Sequence, residues 1–188
     1  MPATDAQRWN ERYRSGQHAG FDQPRAFLVE QSVWLPTHGL ALDVAMGLGA
    51  NAGWLLAHGL RVIGVDISEV AVRQALARHP GLQAVIADLT AFTLPANSFD
   101  VIANFYYLQR DLWPQLVQAL RPGGVLICET LTQAVRQVRP EMSPEFLLSP
   151  GELCQSFPGL EVQVYREAWI EAGCDSPRPV ASLVATKR

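Results

Sequence analysis

Two glycines and three aspartates in the middle of the chain have the residue types and spacing of a grip on a small molecule. The run Leu42-Asp43-Val44-Ala45-Met46-Gly47-Leu48-Gly49-Ala50-Asn51-Ala52 puts an acid inside an apolar stretch, then a glycine turn, then a helix. Val62-Ile63-Gly64-Val65 leads up to a second acid, Asp66, and Asp88 follows a third apolar stretch. A strand, a glycine turn and a helix, with an acid closing the next strand, build a nucleoside-binding crevice at the end of a parallel sheet. Glycine lets the backbone turn sharply and approach a ligand. A carboxylate, whose oxygens only accept hydrogen bonds, suits the diol of a ribose.

The segment Gly47-Leu48-Gly49-Ala50-Asn51-Ala52 matches the dinucleotide fingerprint with its tolerated final alanine, and Asp66 stands at about the right distance. Asp43 separates the candidates. A pyrophosphate on a helix N-terminus wants no carboxylate beside it. A ligand carrying an ammonium and a sulfonium wants the reverse. Asp43 therefore argues for S-adenosyl-L-methionine over a nicotinamide dinucleotide. A nicotinamide-dependent oxidoreductase and a non-catalytic S-adenosylmethionine-binding protein stand as the alternatives. The plainest one is a tight strand–helix turn with no ligand, in which Asp66 and Asp88 only cap turns.

The elements that must hold these residues alternate along the chain. Apolar runs predict strands over 40–46, 61–65, 82–87, 99–104 and 125–130, continuous enough to be buried on both faces. Helices are predicted over 51–58, after a Ser68 cap, and from an Asp111 cap through Leu120, where Pro122-Gly123-Gly124 would end it. Ser149-Pro150-Gly151-Glu152 reads as a capping box with proline in the first helical position. Leu160, Val162 and Val164 alternate with Glu161 and Gln163, and residues 180–186 form a last apolar strand. A loop rich in Gly and Pro would join these two as an antiparallel hairpin. The first forty residues look helical, with Trp9, Tyr13 and Phe21 as their large apolar side chains.

With 188 residues, 48% hydrophobic and 18% charged, the chain suits one globular domain. A net charge of -3 gives no broad attraction for nucleic acid or anionic lipid, which favours a small-molecule partner. The first residues lack a secretory pattern and no apolar run is long enough to span a bilayer. Cys128, Cys154 and Cys174 show neither metal-ligand nor disulfide spacing, so reduced thiols in a cytoplasmic protein and no metal are expected. His18, His38, His58 and His79 show no pairing.

Asp43 with Gly47-Leu48-Gly49, Asp66, Ala87-Asp88-Leu89, Ser98-Phe99-Asp100-Val101-Ile102 and Leu120-Arg121-Pro122-Gly123-Gly124 together resemble the class I S-adenosylmethionine-dependent methyltransferases. The resemblance implies an α/β Rossmann-like sandwich: a mostly parallel seven-stranded sheet with a C-terminal antiparallel hairpin and helices on both faces. It implies one domain over 1–188, with an N-terminal helical lid over 1–39 and the core over 40–188. Ala45 stands where the family often has glycine. Trp9-Asn10-Glu11-Arg12-Tyr13, with Phe21 and Pro24, is similar to the small tellurite-resistance and thiopurine-type members, whose N-terminal segment covers the cofactor.

By the same resemblance, Ala45, Gly47 and Gly49 approach the methionine part of the cofactor, and Asp43 supports that loop or the ammonium. Asp66 takes the ribose hydroxyls, Ile67 packs on the adenine, Asp88 accepts from its amino group and Leu89 offers a backbone donor. Asn104 and Phe105 lie at the methyl-donor end and Tyr13 closes over the cofactor. Trp9, Tyr106, Tyr107 and Arg110 are the expected acceptor contacts; aromatic rings can hold a sulfonium by cation–π attraction. Each has a plainer reading: core packing for the rings, a docked surface helix for Trp9 and Tyr13, a solvated loop for Arg110. Glu129 and Asp175 are weaker candidates of the same kind. Asn104-Phe105-Tyr106-Tyr107 departs from the Asn-Pro-Pro-Tyr of nucleic-acid amino-methylating enzymes. No residue stands out as a general base, so the catalytic residue and the acceptor stay unassigned.

Overall fold

The computed structural model describes residues 4–16, 22–172 and 175–188, apart from the side chains at 172, 175 and 176. His18, Phe21, Cys174 and the side chain of Asp175 lie outside the described residues. Seven strands form one sheet: β1 Leu40–Val44, β2 Arg61–Asp66, β3 Gln83–Ile86, β4 Phe99–Phe105, β5 Leu120–Leu131, β6 Leu160–Ala172 and β7 Asp175–Lys187. Their spatial order is β3-β2-β1-β4-β5-β7-β6. The first five strands pair in parallel, and β7 pairs antiparallel with both β5 and β6. The chain winds outward from β1 to β3, then crosses back to lay β4 on the other side of β1. That reversal leaves an open crevice beyond the C-terminal ends of β1 and β4.

The central strands bury both faces, and alternate residues go to opposite cores; the edge strands β3 and β6 are largely exposed, which corrects the expectation that the third strand is buried on both faces. Leu42 and Val44 of β1 pack with Ile102, Leu126, Leu116 and Leu120 on one side. Ala41 packs with Phe27, Leu28, Leu55, Val101, Ala103 and Ile127 on the other. Helices α2 (Ala26–Glu30), α3 (Ala50–Ala57) and α5 (Trp113–Ala119) supply much of that cover. Among the described residues, no helix is long and apolar enough to cross a membrane.

The N-terminal segment is helical as expected. Helix α1 (Asp5–Arg14) starts on a capping box in which Thr4 and Gln7 satisfy each other's backbone N–H groups. It docks on α4 (Glu69–Arg78): Asn10 Oδ1 accepts from Ser68 Oγ at 2.7 Å and from the Val70 amide at 3.1 Å. Ser68 also caps α4 as its spacing predicted, accepting from the Ala71 amide at 3.2 Å.

Three local expectations are corrected. Asp111 does not cap α5; it lies in a 3-10 turn over Arg110–Leu112, and the helix begins at Trp113 with Pro114 in its first turn. A proline there loses no helical bond, so the turn ahead of it need not extend the helix. The helix also stops at Ala119, and Leu120 already pairs with Phe99. Residues 121–124 then bulge out before Val125 pairs with Val101. Ser149 is not the cap of α6 (Glu152–Gln155): its amide donates to Glu152 Oε2 at 2.8 Å, but Gly151, at φ 73°, precedes the helix. The glycine takes a left-handed conformation that a longer helix could not include.

The hairpin is longer than its composition suggested. Pairing runs through Trp169↔Pro179 and Ile170↔Arg178 to Ala172↔Asp175. Pro177 and Pro179 fit because β5 leaves β7 at Leu131↔Val180, so beyond that point β7 has no strand on that side to which it must donate.

Candidate functional site

A cavity of about 490 Å³ lies at the crevice between β1, β2 and β4, with α1 over it. Its floor is the turn after β1. Ala45 (φ 51°), Gly47 (φ 55°) and Gly49 (φ 75°) all take left-handed conformations. A side chain on Gly47 would begin 2.6 Å from the Tyr13 hydroxyl. The loop is thus pressed between the sheet and the N-terminal helix, and Ala45 carries strain at a place that suits glycine.

Asp66 ends β2 and organises that loop. Its Oδ2 accepts from the Gly47 amide and its Oδ1 from the Ser68 amide, both at 2.8 Å. Burial raises its pKa, and the amides of Ser68, Gly47 and Ile67 work against that rise. A carboxylate offers about four lone-pair sites, so capacity remains for a ligand. Ile67, Ala87, Asp88 and Leu89 continue the same wall. Asp88 is exposed and its Oδ1 accepts from the amide and hydroxyl of Thr90, which lowers its pKa.

The strand parity sorts the remaining residues. Phe105 lines the cavity, as do Tyr106 and Tyr107 just beyond β4. Tyr106 takes a left-handed backbone (φ 58°), and its hydroxyl donates to Glu129 Oε1 at 3.1 Å. Ser182 Oγ donates to the other oxygen of Glu129 at 2.7 Å. The Tyr107 hydroxyl bonds Gln109. Burial, aided by the charges of Asp88, Asp5 and Asp66, pushes its pKa up to about 12. Trp9 stacks on Tyr13 at 5.9 Å between ring centroids, and the Arg12 guanidinium sits 5.2 Å over the Trp9 ring. Both rings line the cavity.

Four expected site residues are placed elsewhere. Asp43 is fully buried behind the turn, on the Ala41 face of β1, and accepts from the Ala52 amide in the first turn of α3. Its Oδ2 has no hydrogen-bond partner, and burial pushes its carboxyl up to about 7. It supports the loop and does not reach the cavity. Gly49 caps α3 and lets it approach α4: a side chain there would begin 3.0 Å from Ala75 Cβ. Asn104 shares the face of Ile102 and lines a second, much smaller hollow with Trp113, Cys128 and Phe157. Arg110 points away and ties a distant loop: it bonds both oxygens of Glu152 (2.6 and 3.0 Å) and the carbonyls of Glu145 and Leu147.

Sequence reasoning missed the cations. Arg25, Arg139 and Arg178 line the cavity with Asn51, Val135 and Met142. Arg25 donates its backbone amide to Asn51 Oδ1 at 2.9 Å and lays its guanidinium 4.7 Å over the Tyr106 ring. No spacing rule could have found these arginines, because the three come from three distant segments. Among the described residues, no group of three or more His, Cys, Asp or Glu could hold a metal ion. Cys128 is a buried free thiol and Cys154 an exposed one.

A methyltransferase-domain family model matches residues 41–124, the stretch that contains the glycine turn, Asp66 and Asp88. Over that stretch the chain is similar to the methyltransferase domain of S-adenosylmethionine-dependent methyltransferases. It is similar to a trans-aconitate 2-methyltransferase of Rhizobium meliloti, 30% identical over 152 residues that cover 74% of this chain and 59% of that protein. It is similar to a thiopurine S-methyltransferase of Xanthomonas campestris, 38% identical over 74 residues that cover 37% of this chain and 34% of that one. The crystal structure of a SAM-dependent methyltransferase from Methanosarcina mazei superposes with a TM-score of 0.70 at 18% identity, covering 87% of this chain and 98% of that one. That likeness is one of fold. The chain spans 34% to 59% of the length of these two curated relatives.

The residues present fit S-adenosylmethionine. A crevice of this size holds a nucleoside-sized ligand. The backbone at Gly47 is bare where a side chain would intrude, and the cavity carries Asp66 at one wall. A pyrophosphate is poorly served, because Asp43 already occupies an amide in the first turn of α3 and brings a carboxyl to the end where an anion would bind.

Proposed function

We propose that this domain transfers a methyl group from S-adenosylmethionine to a small-molecule acceptor. The observation that carries the reading is the pairing of Gly47 and Asp66, one hydrogen bond of 2.8 Å that joins the turn after β1 to the acid ending β2 at the rim of the cavity. Bound S-adenosylmethionine supplies a sulfonium methyl: an acceptor lone pair bonds the methyl carbon, the carbon–sulfur pair stays on sulfur, and S-adenosylhomocysteine leaves.

The chain's own residues bind and align. In this reading Asp66 holds the ribose hydroxyls, Ile67 and Leu89 flank the adenine, and Asp88 takes its amino group with the oxygen turned from Thr90. Arg25, held at the glycine turn by Asn51, takes the amino-acid carboxylate. Trp9 and Tyr13 exclude water from above. Phe105, Tyr106 and Tyr107 ring the methyl-donor end and favour its positive charge. Alignment of two bound reactants contributes on the order of 7–11 kcal/mol in favourable cases.

Among the described residues that line the methyl-donor end, none is poised to take a proton. The tyrosines there are held neutral by burial. That supports an acceptor which is already a nucleophile at neutral pH, as in the thiopurine and tellurite-resistance type of enzyme. The free thiols Cys128 and Cys154 suit a reducing, cytoplasmic setting.

The test is calorimetry followed by turnover. S-adenosylhomocysteine binds and raises Tm, whereas NAD does neither. Labelled S-adenosylmethionine then passes its methyl to a member of an acceptor panel. Tight binding with no transfer to any member favours a binding protein, and silence toward S-adenosylhomocysteine overturns the assignment.

A further inference from the structure

We propose that Asn10 is the latch of a gate. Helix α1 lifts from α4 to let the cofactor pass, and the two hydrogen bonds that Asn10 accepts set how often it does so. On the cofactor reading above, on which this rests, the nucleoside lies at Asp66 beneath α1.

Helix α1 is packed apart from both main cores. Tyr13 is its buried residue, and it sits in a small separate cluster with Leu48 and Ala71, against which Trp9 and Val70 pack. Leu48 belongs to the glycine turn, and Val70 and Ala71 to the first turn of α4. The ion pairs Arg8–Asp5 and Arg14–Glu11 run along the exposed side of α1 and join it only to itself. A segment that buries so little apolar surface opens locally at far less cost than global unfolding.

Asn10 adds the polar seat. Its Oδ1 accepts from Ser68 Oγ at 2.7 Å and from the Val70 amide at 3.1 Å. The Val70 amide is one of the donors that the start of a helix leaves without an intrahelical acceptor. Ser68 itself serves the next one, at Ala71. The cap of α4 is thus shared between its own Ser68 and a side chain from another helix. Asn10 is not among the residues lining the cavity, whereas Asp5, Trp9, Arg12 and Tyr13 of the same helix are. Asn10 therefore acts on the cofactor by holding these four in place.

The seat of α1 and the floor of the cavity share one clasp. Asp66 binds the Gly47 amide with one oxygen and the Ser68 amide with the other. Gly47 lies under the Tyr13 hydroxyl, and Ser68 under Asn10. With α1 seated, Asp66 is only 6% exposed. A ribose that reaches this acid is covered by Trp9 and Tyr13, so arrival and departure both call for the helix to lift.

The experiment uses the full chain as parent, Asn10→Ala and Asn10→Asp. Three rates are measured: tryptic cleavage after Arg8 and Arg12, association of labelled S-adenosylhomocysteine, and its release into an excess of unlabelled compound. In Asn10→Ala cleavage speeds about tenfold for the two lost bonds, and association and release both speed by a similar factor. Equilibrium affinity then shifts by less than about threefold, because a gate alters both directions alike. Asn10→Asp keeps an acceptor at the start of α4 and restores all three rates. Faster cleavage with unchanged exchange overturns the proposal, since the cofactor then uses another route. Release that speeds alone overturns it as well, since a binding contact has then been lost. Unchanged cleavage in Asn10→Ala, or an aspartate variant that behaves as the alanine one, removes Asn10 as the latch. A parent that gives no calorimetric signal with S-adenosylhomocysteine fails at an earlier step and overturns the cofactor reading together with the gate.

Discussion

The hydroxyl of Tyr13 fills the space in which a side chain on Gly47 would start, 2.6 Å from an added Cβ, while the ring carbon behind it lies at 3.6 Å. The N-terminal helix and the glycine turn are therefore fitted to each other to within one oxygen atom. Gly47→Ala is expected to cost about 1–3 kcal/mol from its positive φ, plus the clash. Tyr13→Phe removes the oxygen and leaves ordinary contact. A double-mutant cycle by urea denaturation should show that Gly47→Ala costs less in the Tyr13→Phe background. Equal costs in both backgrounds would mean that the helix does not press on the turn.

Asp66 serves two backbone donors as well as the proposed ribose site. Asp66→Ala leaves the Gly47 and Ser68 amides without their acceptor, at about 1–3 kcal/mol for each that stays buried and unsatisfied. Asp66→Asn keeps one carbonyl oxygen. S-adenosylhomocysteine affinity should fall in the order parent, Asn, Ala, with stability falling in the same order. An alanine variant that binds as tightly as the parent would remove Asp66 from the site.

Asp43 makes stability depend on pH. Burial lifts its folded pKa to about 7, the Ala52 amide and Arg25 oppose the rise, and Asp66 adds to it. In the unfolded chain the group titrates near its ordinary value of about 4. Between those values folding takes up a proton, so this contribution to stability is complete below pH 4, declines up to pH 7 and is level above. Asp43→Asn abolishes it. The Tm of the variant relative to the parent should climb between pH 4.5 and 7.5 and then stay constant; a difference that is flat across that window contradicts the assignment.

Arg110 is an anchor for the 145–152 loop and not an acceptor contact. Its forked bonds to Glu152 are partly exposed, and Arg110→Ala should lower stability by about 1 kcal/mol. Binding of S-adenosylhomocysteine should not change. A selective loss of methyl transfer to the acceptor, with Tm and S-adenosylhomocysteine affinity unchanged, would return Arg110 to the acceptor site.

Periodicity and local chemistry made much of this protein legible in one dimension. The apolar runs placed the central strands of the sheet, because a strand buried on both faces has to be apolar throughout. The glycine turn was visible because few residues but glycine tolerate φ near 55°, and the Ser68 cap because its donor lies three residues away. Asp88 was read as a ligand acid and as a turn residue at once; Thr90 takes one of its oxygens while it lines the cavity.

The rest depends on contacts far apart in the chain. Asn104 and Phe105 are neighbours in sequence, yet the strand sends them to opposite sides of the sheet, and no local pattern says which side holds the cavity. Asp43 takes the loop-supporting one of the two roles its chemistry allowed, from one layer behind the cavity. Arg25, Arg139 and Arg178 line one cavity because an N-terminal loop, the turn after β5 and the C-terminal hairpin converge on it. Backbone conformation is governed by nearest neighbours and can be read along the chain; the charge pattern of a cavity arises from register between distant strands, and it exists only once they have packed.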